Sequence, residues 1–394
     1  MYIHMPKSWN GLVVVADIRN KVDRELDLEK GGTHVLTHWP MGKAALGADW
    51  QRTARIALFD HGENLGIDET LRGKERGAAR AKANSWKHMQ KAELRRWLDA
   101  NKPAMTVFLQ TRSQQARANR DYDDGEVLGA DGTICWALAE APDSLPNAAG
   151  CLVNAPWSPA MGVLNPINYE WVYGEVIASW LQRAHGFAKG RLKQPWYESH
   201  IHPGPAMTDA LKRLLAVHSG GAPLSVDIES FTDGSVITAV GFAAGSVAVS
   251  VPWENYQPYG QSEAVFAADS STLGLARRLL EVPHAKILHN GIAYDGPLLA
   301  SRGYRMNGPI QDTYLLHGLV HNQLRHGLQQ AVSYETLCPA WKSAHKPLGL
   351  KKTDPAFWQA DPEGLRRYNC SDAFFTAKLF DTLSWKAGLN ARQF

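Results

Sequence analysis

Leu224-Ser225-Val226-Asp227-Ile228-Glu229-Ser230-Phe231 alternates apolar and acidic residues at its centre, the pattern of a β-strand with one apolar and one acidic face. In a β-strand successive side chains point to opposite faces. Val226 and Ile228 then share one face, and Asp227 and Glu229 share the other. Two carboxylates side by side repel each other unless something positive lies between them. The plain alternative is a pair of solvated acids on a sheet surface.

Working outward, the run follows His218-Ser219-Gly220-Gly221-Ala222-Pro223, and Met207 to Val217 upstream reads as a short helix. Downstream, Val236–Phe242 and Val247–Trp253 predict a strand pair around Ala243-Ala244-Gly245-Ser246. A helix over Thr272–Glu281, a strand over Lys286–His289, a helix from near Asp295 and a short strand over Ile310–Thr313 follow. The remainder is mostly helical, the last helix starting near Pro362.

Two further segments carry acids. In His289-Asn290-Gly291-Ile292-Ala293-Tyr294-Asp295, the Asp falls near a helix start, where negative charge is favoured, so a simple helix cap is the competing reading. In Tyr368-Asn369-Cys370-Ser371-Asp372 the spacing places Tyr368 and Asp372 on one helical face. Asp227, Glu229, Asp295 and Asp372 together form a set of hard oxygen donors that suits Mg²⁺ or Mn²⁺ and not zinc. Two such ions about 4 Å apart activate water and hold the leaving oxygen of a phosphodiester.

In order, spacing and context these segments resemble the three motifs of the DEDDy branch of the DnaQ-like 3′→5′ exonuclease superfamily, over roughly residues 222–390. The resemblance implies an RNase H-like mixed five-stranded sheet with helices, two divalent ions, and catalysis by Asp227, Glu229, Asp295, Tyr368 and Asp372. It gives Asp227 both ions, Glu229 and Asp372 the inner one, Asp295 the outer one through water, and Tyr368 the attacking water. It assigns Asn290 and Tyr294 to the terminal nucleotide, and Ile228, Ser230 and Phe231 to the lining of its pocket.

Asp312-Thr313-Tyr314-Leu315-Leu316-His317 and Arg325-His326-Gly327-Leu328 resemble the proofreading domains of phage-type family A DNA polymerases. Only 22 residues follow Asp372, so this chain is not expected to be a complete polymerase: either a separate DNA polymerase is its partner, or the exonuclease works alone, or the chain is a fragment. The expected activity is removal of 3′-terminal nucleotides from single-stranded or frayed DNA. An RNase D-like exoribonuclease is the first alternative, and a non-catalytic clamp or polymerase-docking protein the second.

The first half is less informative. Residues 1–203 are expected to form a separate α/β accessory domain and residues 204–394 the exonuclease domain, the break marked by Ile201-His202-Pro203-Gly204-Pro205. Strands are expected at Leu12–Ile18, His34–Trp39, Arg55–Phe59, Met105–Leu109, Ile134–Leu138 and Cys151–Val153, and helices at Arg72–Ala100 and Glu170–Ala184. Between 72 and 96 there are nine basic residues and two Glu, enough for a basic helical face; Arg72, Lys74, Arg76, Arg80, Lys82 and Lys87 are its candidate nucleic-acid contacts. A solvated helix surface explains the same charges. Residues 151–159, ending Ala155-Pro156-Trp157-Ser158-Pro159, weakly resemble the site loops of uracil-DNA-glycosylase-like folds.

Net charge of +3 is too small to mark a nucleic-acid binder by itself. No long apolar run predicts a membrane span, and four scattered cysteines fit a reducing cytoplasm, which the resemblance to phage-type domains implies is that of a bacterial or phage-infected cell. His317 and His321 have zinc-competent spacing on a helix, without the His-Glu-x-x-His pattern.

Overall fold

The computed structural model describes residues 195–322, 326–336 and 360–389 nearly throughout, and of the rest residues 2–9, 12–18, 46–59, 105–109 and 151–155 with short pieces elsewhere. The chain divides into two compact units, Met1–Gln194 with Leu337–Ser343, and Pro195–Thr336 with Ala344–Phe394.

The first unit is built on a five-stranded sheet, β1 (Tyr2–His4), β2 (Leu12–Ile18), β3 (Ala54–Phe59), β4 (Met105–Leu109) and β5 (Cys151–Ala155), in the order β1-β3-β2-β4-β5. β3, β2, β4 and β5 run parallel, and β1 closes the edge antiparallel to β3. Parallel neighbours need long crossovers, which fits the long intervals between these strands. The expected strands His34–Trp39 and Ile134–Leu138 and the helix Glu170–Ala184 lie wholly or mostly outside the described residues. The glycosylase likeness drew on residues 151–159, of which 156–159 also lie outside them.

The second unit contains β6 (Glu198–His200), α1 (Pro205–Ser219), β7 (Leu224–Ser230), β8 (Ile237–Ala244), β9 (Val247–Pro252), α2 (Ser270–Glu281), β10 (Lys286–Leu288), α3 (Asp295–Ser301), β11 (Ile310–Asp312), α4 (Thr313–Val320), α5 (Leu328–Glu335) and α6 (Pro362–Lys386). Its sheet runs β11-β10-β7-β8-β9-β6. β7, β8 and β9 form an antiparallel meander, while β10 and β11 lie parallel to β7 on its other side. This is a mixed-sheet α/β domain consistent with the RNase H-like class.

The sheet has six strands rather than the expected five, because β6 adds to the edge parallel to β9. β6 is three residues long with Glu and His at its ends, so it carries no apolar run. It lies upstream of the Ile201–Pro205 punctuation, so the second sheet draws on residues ahead of that break.

The alternation of β7 sorts the two sides of this sheet. Val226 and Ile228 join Val240, Phe242 and Val249 in a core closed by Met207, Ala210, Leu211 and Leu214 of α1 and Ala276, Leu279 and Leu280 of α2. At the end of α1, His218 is fully buried, and its Nδ1–H donates to the Ala222 carbonyl at 2.6 Å. Burial pushes its pKa down to about 4. The opposite side of β7, β8 and β9 is covered by α6. Asp361 caps α6 by accepting from the Gly364 N–H at 2.9 Å, and Pro362 occupies its first turn, where a missing N–H costs nothing. Its buried stripe runs from Leu365 through Asn369, Asp372 and Phe375 to Leu383.

Candidate active site

Asp227 and Glu229 reach the α6 side because they are two apart on β7, and both are half-buried. Asp372 comes from the middle of α6 and is buried. Carboxylate oxygens of the three residues all lie within 4.8 Å of one another. A strand and a helix, with Asp227 and Asp372 145 residues apart, thus deliver three acids to one point. Hard oxygens gathered this closely fit Mg²⁺ or Mn²⁺, whose ligands are carboxylates and water.

Asn369, one turn before Asp372's neighbour Ala373, aligns the cluster. It is fully buried, and its Nδ2 donates to the Asp227 carboxylate at 2.7 Å and to the Asp227 carbonyl at 3.2 Å. Its Oδ1 accepts from the Ser250 hydroxyl at 2.6 Å. The amide is therefore satisfied at both ends, as a buried polar group must be. Losing one such partner costs about 1–3 kcal/mol. Gly241 of β8, directly opposite Asp227 in the antiparallel register, makes room for it. A Cβ at Gly241 would sit 2.6 Å from Asn369 Oδ1. Asn369 was missed as a functional position in the sequence, although it lies inside the Tyr368–Asp372 string.

Asp295 sits apart from the three-acid group, at the start of α3. β10 pairs with β7 only at Leu224 and Ser225, so the β7 backbone beyond that point needs another partner on this side. Asp295 supplies it, accepting the Ile228 N–H at 3.0 Å. The carboxylate is brought there by a tight return of the chain after β10. Asn290 adopts φ 58°, in the left-handed region, and at Gly291 any Cβ would lie 2.6 Å from Leu288 Cβ and 2.9 Å from Asp295 Oδ2. Asp312, buried at the end of β11, holds this turn by accepting the N–H groups of Asn290 at 2.8 Å and Ile292 at 3.1 Å. Asp295 is thus more than a helix cap. Burial pushes its carboxyl up to about 6, with Asp312 and Asp372 adding repulsion and the Ile228 and Asp295 N–H groups pulling the other way.

Of the remaining expected site residues, Ile228 is buried in the core on the other face of β7, while Ser230, Phe231 and Tyr294 are at least partly exposed. Tyr294 is partly exposed and its hydroxyl lies 2.7 Å from the Ser230 hydroxyl. Phe231 meets Tyr256 edge-on at 5.7 Å between ring centroids, and Ile292 is exposed beside the turn. Tyr368 is half-buried on α6, one turn before Asp372. In the first unit, Arg72 and Lys74 are exposed; Arg76, Arg80, Lys82 and Lys87 lie outside the described residues, as does Arg325.

No family model matches the chain, and no curated protein does. Among solved structures, NrnC of Brucella melitensis is 19% identical, with 50% of this chain and 85% of that one covered and a TM-score of 0.33. Escherichia coli RNase D, an exoribonuclease involved in structured RNA processing, is 14% identical over 49% of this chain and 45% of its own length, TM-score 0.32. The catalytic core of RRP6 from Trypanosoma brucei is 14% identical over 50% of this chain and 52% of that one, TM-score 0.32. The chain thus spans about half of the RNase D and RRP6 chains it matches. Identity and overlap at this level leave the chemistry to be read from the side chains.

Proposed function

We propose that the second unit is a divalent-metal-dependent 3′→5′ exonuclease that hydrolyses the terminal phosphodiester and releases nucleoside monophosphates. The observation that carries this reading is the convergence of Asp227, Glu229 and Asp372 within 4.8 Å, with Asp295 fixed on the backbone N–H of Ile228, the residue between the first two. Bound Mg²⁺ or Mn²⁺ ions would supply water activation and stabilise the leaving oxygen. Asp227, Glu229 and Asp372 would hold them, and Asp295 would add the outer carboxylate. The chain's own residues do the positioning. Asn369 fixes the Asp227 carboxylate, the Ile228 N–H fixes Asp295, and the helical spacing sets Tyr368 one turn from Asp372 to orient the attacking water. Phe231, Ile292 and Tyr294 would offer apolar and aromatic surface to the terminal base.

The carboxylates act on the phosphodiester and are indifferent to the sugar. The paired hydroxyls of Ser230 and Tyr294 at the rim suit a ribose 2′-hydroxyl, which both donates and accepts, and this favours RNA ends. The second reading, a proofreading exodeoxyribonuclease working beside a separate polymerase, is favoured by the likeness of Asp312–His317 and Arg325–Leu328 to polymerase-linked domains.

The test is a time course on 5′-labelled single-stranded RNA and on DNA of the same sequence, with Mg²⁺, Mn²⁺ or EDTA, for the wild-type chain and Asp227→Ala. A metal-dependent 3′-shortening ladder absent from Asp227→Ala supports the proposal, and the RNA-to-DNA rate ratio chooses between substrates. No shortening of either substrate under any metal overturns it in favour of the non-catalytic reading.

A further inference from the structure

Away from the carboxylates, a second group of metal-competent side chains gathers where α4 ends and α5 ends. A ring nitrogen of His317, a ring nitrogen of His321 and an oxygen of Glu335 lie within 4.8 Å of one another. His317 projects from α4 and is fully buried; His321 follows at the end of that helix, and Glu335 is the last residue of α5. The 317/321 spacing is visible in the sequence; the arrival of Glu335 is not.

The two nitrogens of His317 are unequal. Nδ1 meets His326 Nδ1 at 2.7 Å, whereas Nε2 is sealed from solvent and has no hydrogen-bond partner. A buried ring nitrogen without a partner calls for an explanation, an ion among them. The surroundings are those a ligating histidine needs. Such a histidine hydrogen-bonds through its other nitrogen, and ligating carboxylates are themselves held by a neighbour. His326 takes the first role, and Lys386 takes the second by bonding Glu335 Oε2 at 2.6 Å. Glu335 Oε1 faces His321 Nε2 at 2.6 Å. Ligands on a tetrahedral zinc lie about 3.4 Å apart, given bond lengths of about 2.0–2.1 Å, so this pair need part by less than about 1 Å to admit the ion. The stacked ring of Tyr334, 5.9 Å from His317, closes one side.

We propose that His317, His321 and Glu335 form a second metal site that takes one zinc-class divalent ion and fastens the end of α4 to the end of α5. Two imidazoles and one carboxylate select zinc over Mg²⁺, with water completing the tetrahedron. The site is independent of the exonuclease reading, and its ion need not touch nucleic acid.

The test uses the full chain without a histidine tag, carrying Asp227→Ala to weaken the carboxylate site. The protein is stripped with a chelator, dialysed against buffered Zn²⁺ and assayed for bound zinc and thermal midpoint, with circular dichroism to confirm folding. His321→Gln and Glu335→Gln are compared in the same background, since the fully buried His317 is a poor first target. One zinc per chain lost in both variants, a zinc-dependent rise in midpoint lost with it, and a tetrahedral Co²⁺ visible spectrum on substitution are expected. Unchanged zinc content in folded His321→Gln and Glu335→Gln, or no zinc retained by the Asp227→Ala parent, overturns the proposal.

Discussion

Asp295 and Glu335 are both carboxylates withdrawn from water, yet their acidities part in opposite directions. Burial works against the charged form at each. At Asp295 burial wins, with Asp312 and Asp372 adding to it, and the carboxyl is pushed up to about 6. At Glu335 burial is outweighed by His321 and Lys386, and the carboxyl is held down at about 2. The first cluster gathers negative charge that suits hard cations arriving with substrate; the second surrounds its one acid with nitrogen. One domain therefore holds two donor sets of different hardness, and they should answer to different metals and different variants.

The sharpest break between them is expected from Asp227→Ala. It should lower exonuclease turnover on the order of 10³-fold or more, a loss of about 4 kcal/mol in transition-state stabilisation, while zinc binding at His317, His321 and Glu335 is retained. Turnover by gel assay and zinc by atomic emission check both halves; loss of both together would merge the clusters into one site. Asn369→Ser comes next. Removing the amide that holds Asp227 should cost about 10–100-fold in turnover and raise the Mn²⁺ concentration needed for half-maximal rate, a shift that mere loosening of α6 would not produce. Tyr368→Phe should be milder, about tenfold in turnover with the metal requirement unchanged.

The last prediction is a control on the scaffold and concerns stability instead of turnover. His218, at the end of α1 and in neither donor set, has a folded pKa of about 4 against an ordinary value near 6.5. The unfolded chain therefore binds the extra proton first as pH falls. Stability is full above about pH 6.5, declines as pH falls toward 4, and levels below that, a total of about 3 kcal/mol at most. Urea unfolding of wild type and His218→Gln across this window should show the slope reduced in the variant. An equal slope in both would show that His218 is not the source of the acid lability.

The alternation of β7 and the four-residue spacing in α6 were legible because each depends only on local periodicity. It put Asp227 with Glu229 on one strand face and Tyr368 with Asp372 on one helix face, while their reading as one site came from the family resemblance. What escaped depends on pairing across long stretches of chain. β6 is three residues held by β9, with no pattern of its own. Asp312 was noticed only as part of a resemblance, although it holds the Asn290 turn from the neighbouring strand. Asn369 stood in plain view, but its meaning comes from Gly241 and Ser250, more than a hundred residues earlier. Glu335 reads as the polar end of an ordinary helix until α4 is set beside it.

The contact between Gly241 and Asn369 reaches beyond this one chain. The space that the missing side chain leaves on β8 is already filled by the amide on α6. An alanine at 241 is therefore tolerable only with a smaller residue at 369, and that residue gives up the grip on Asp227. The two positions should be inherited as a linked pair, glycine with asparagine, and a lineage that breaks the pair will carry some other device for aiming its first carboxylate.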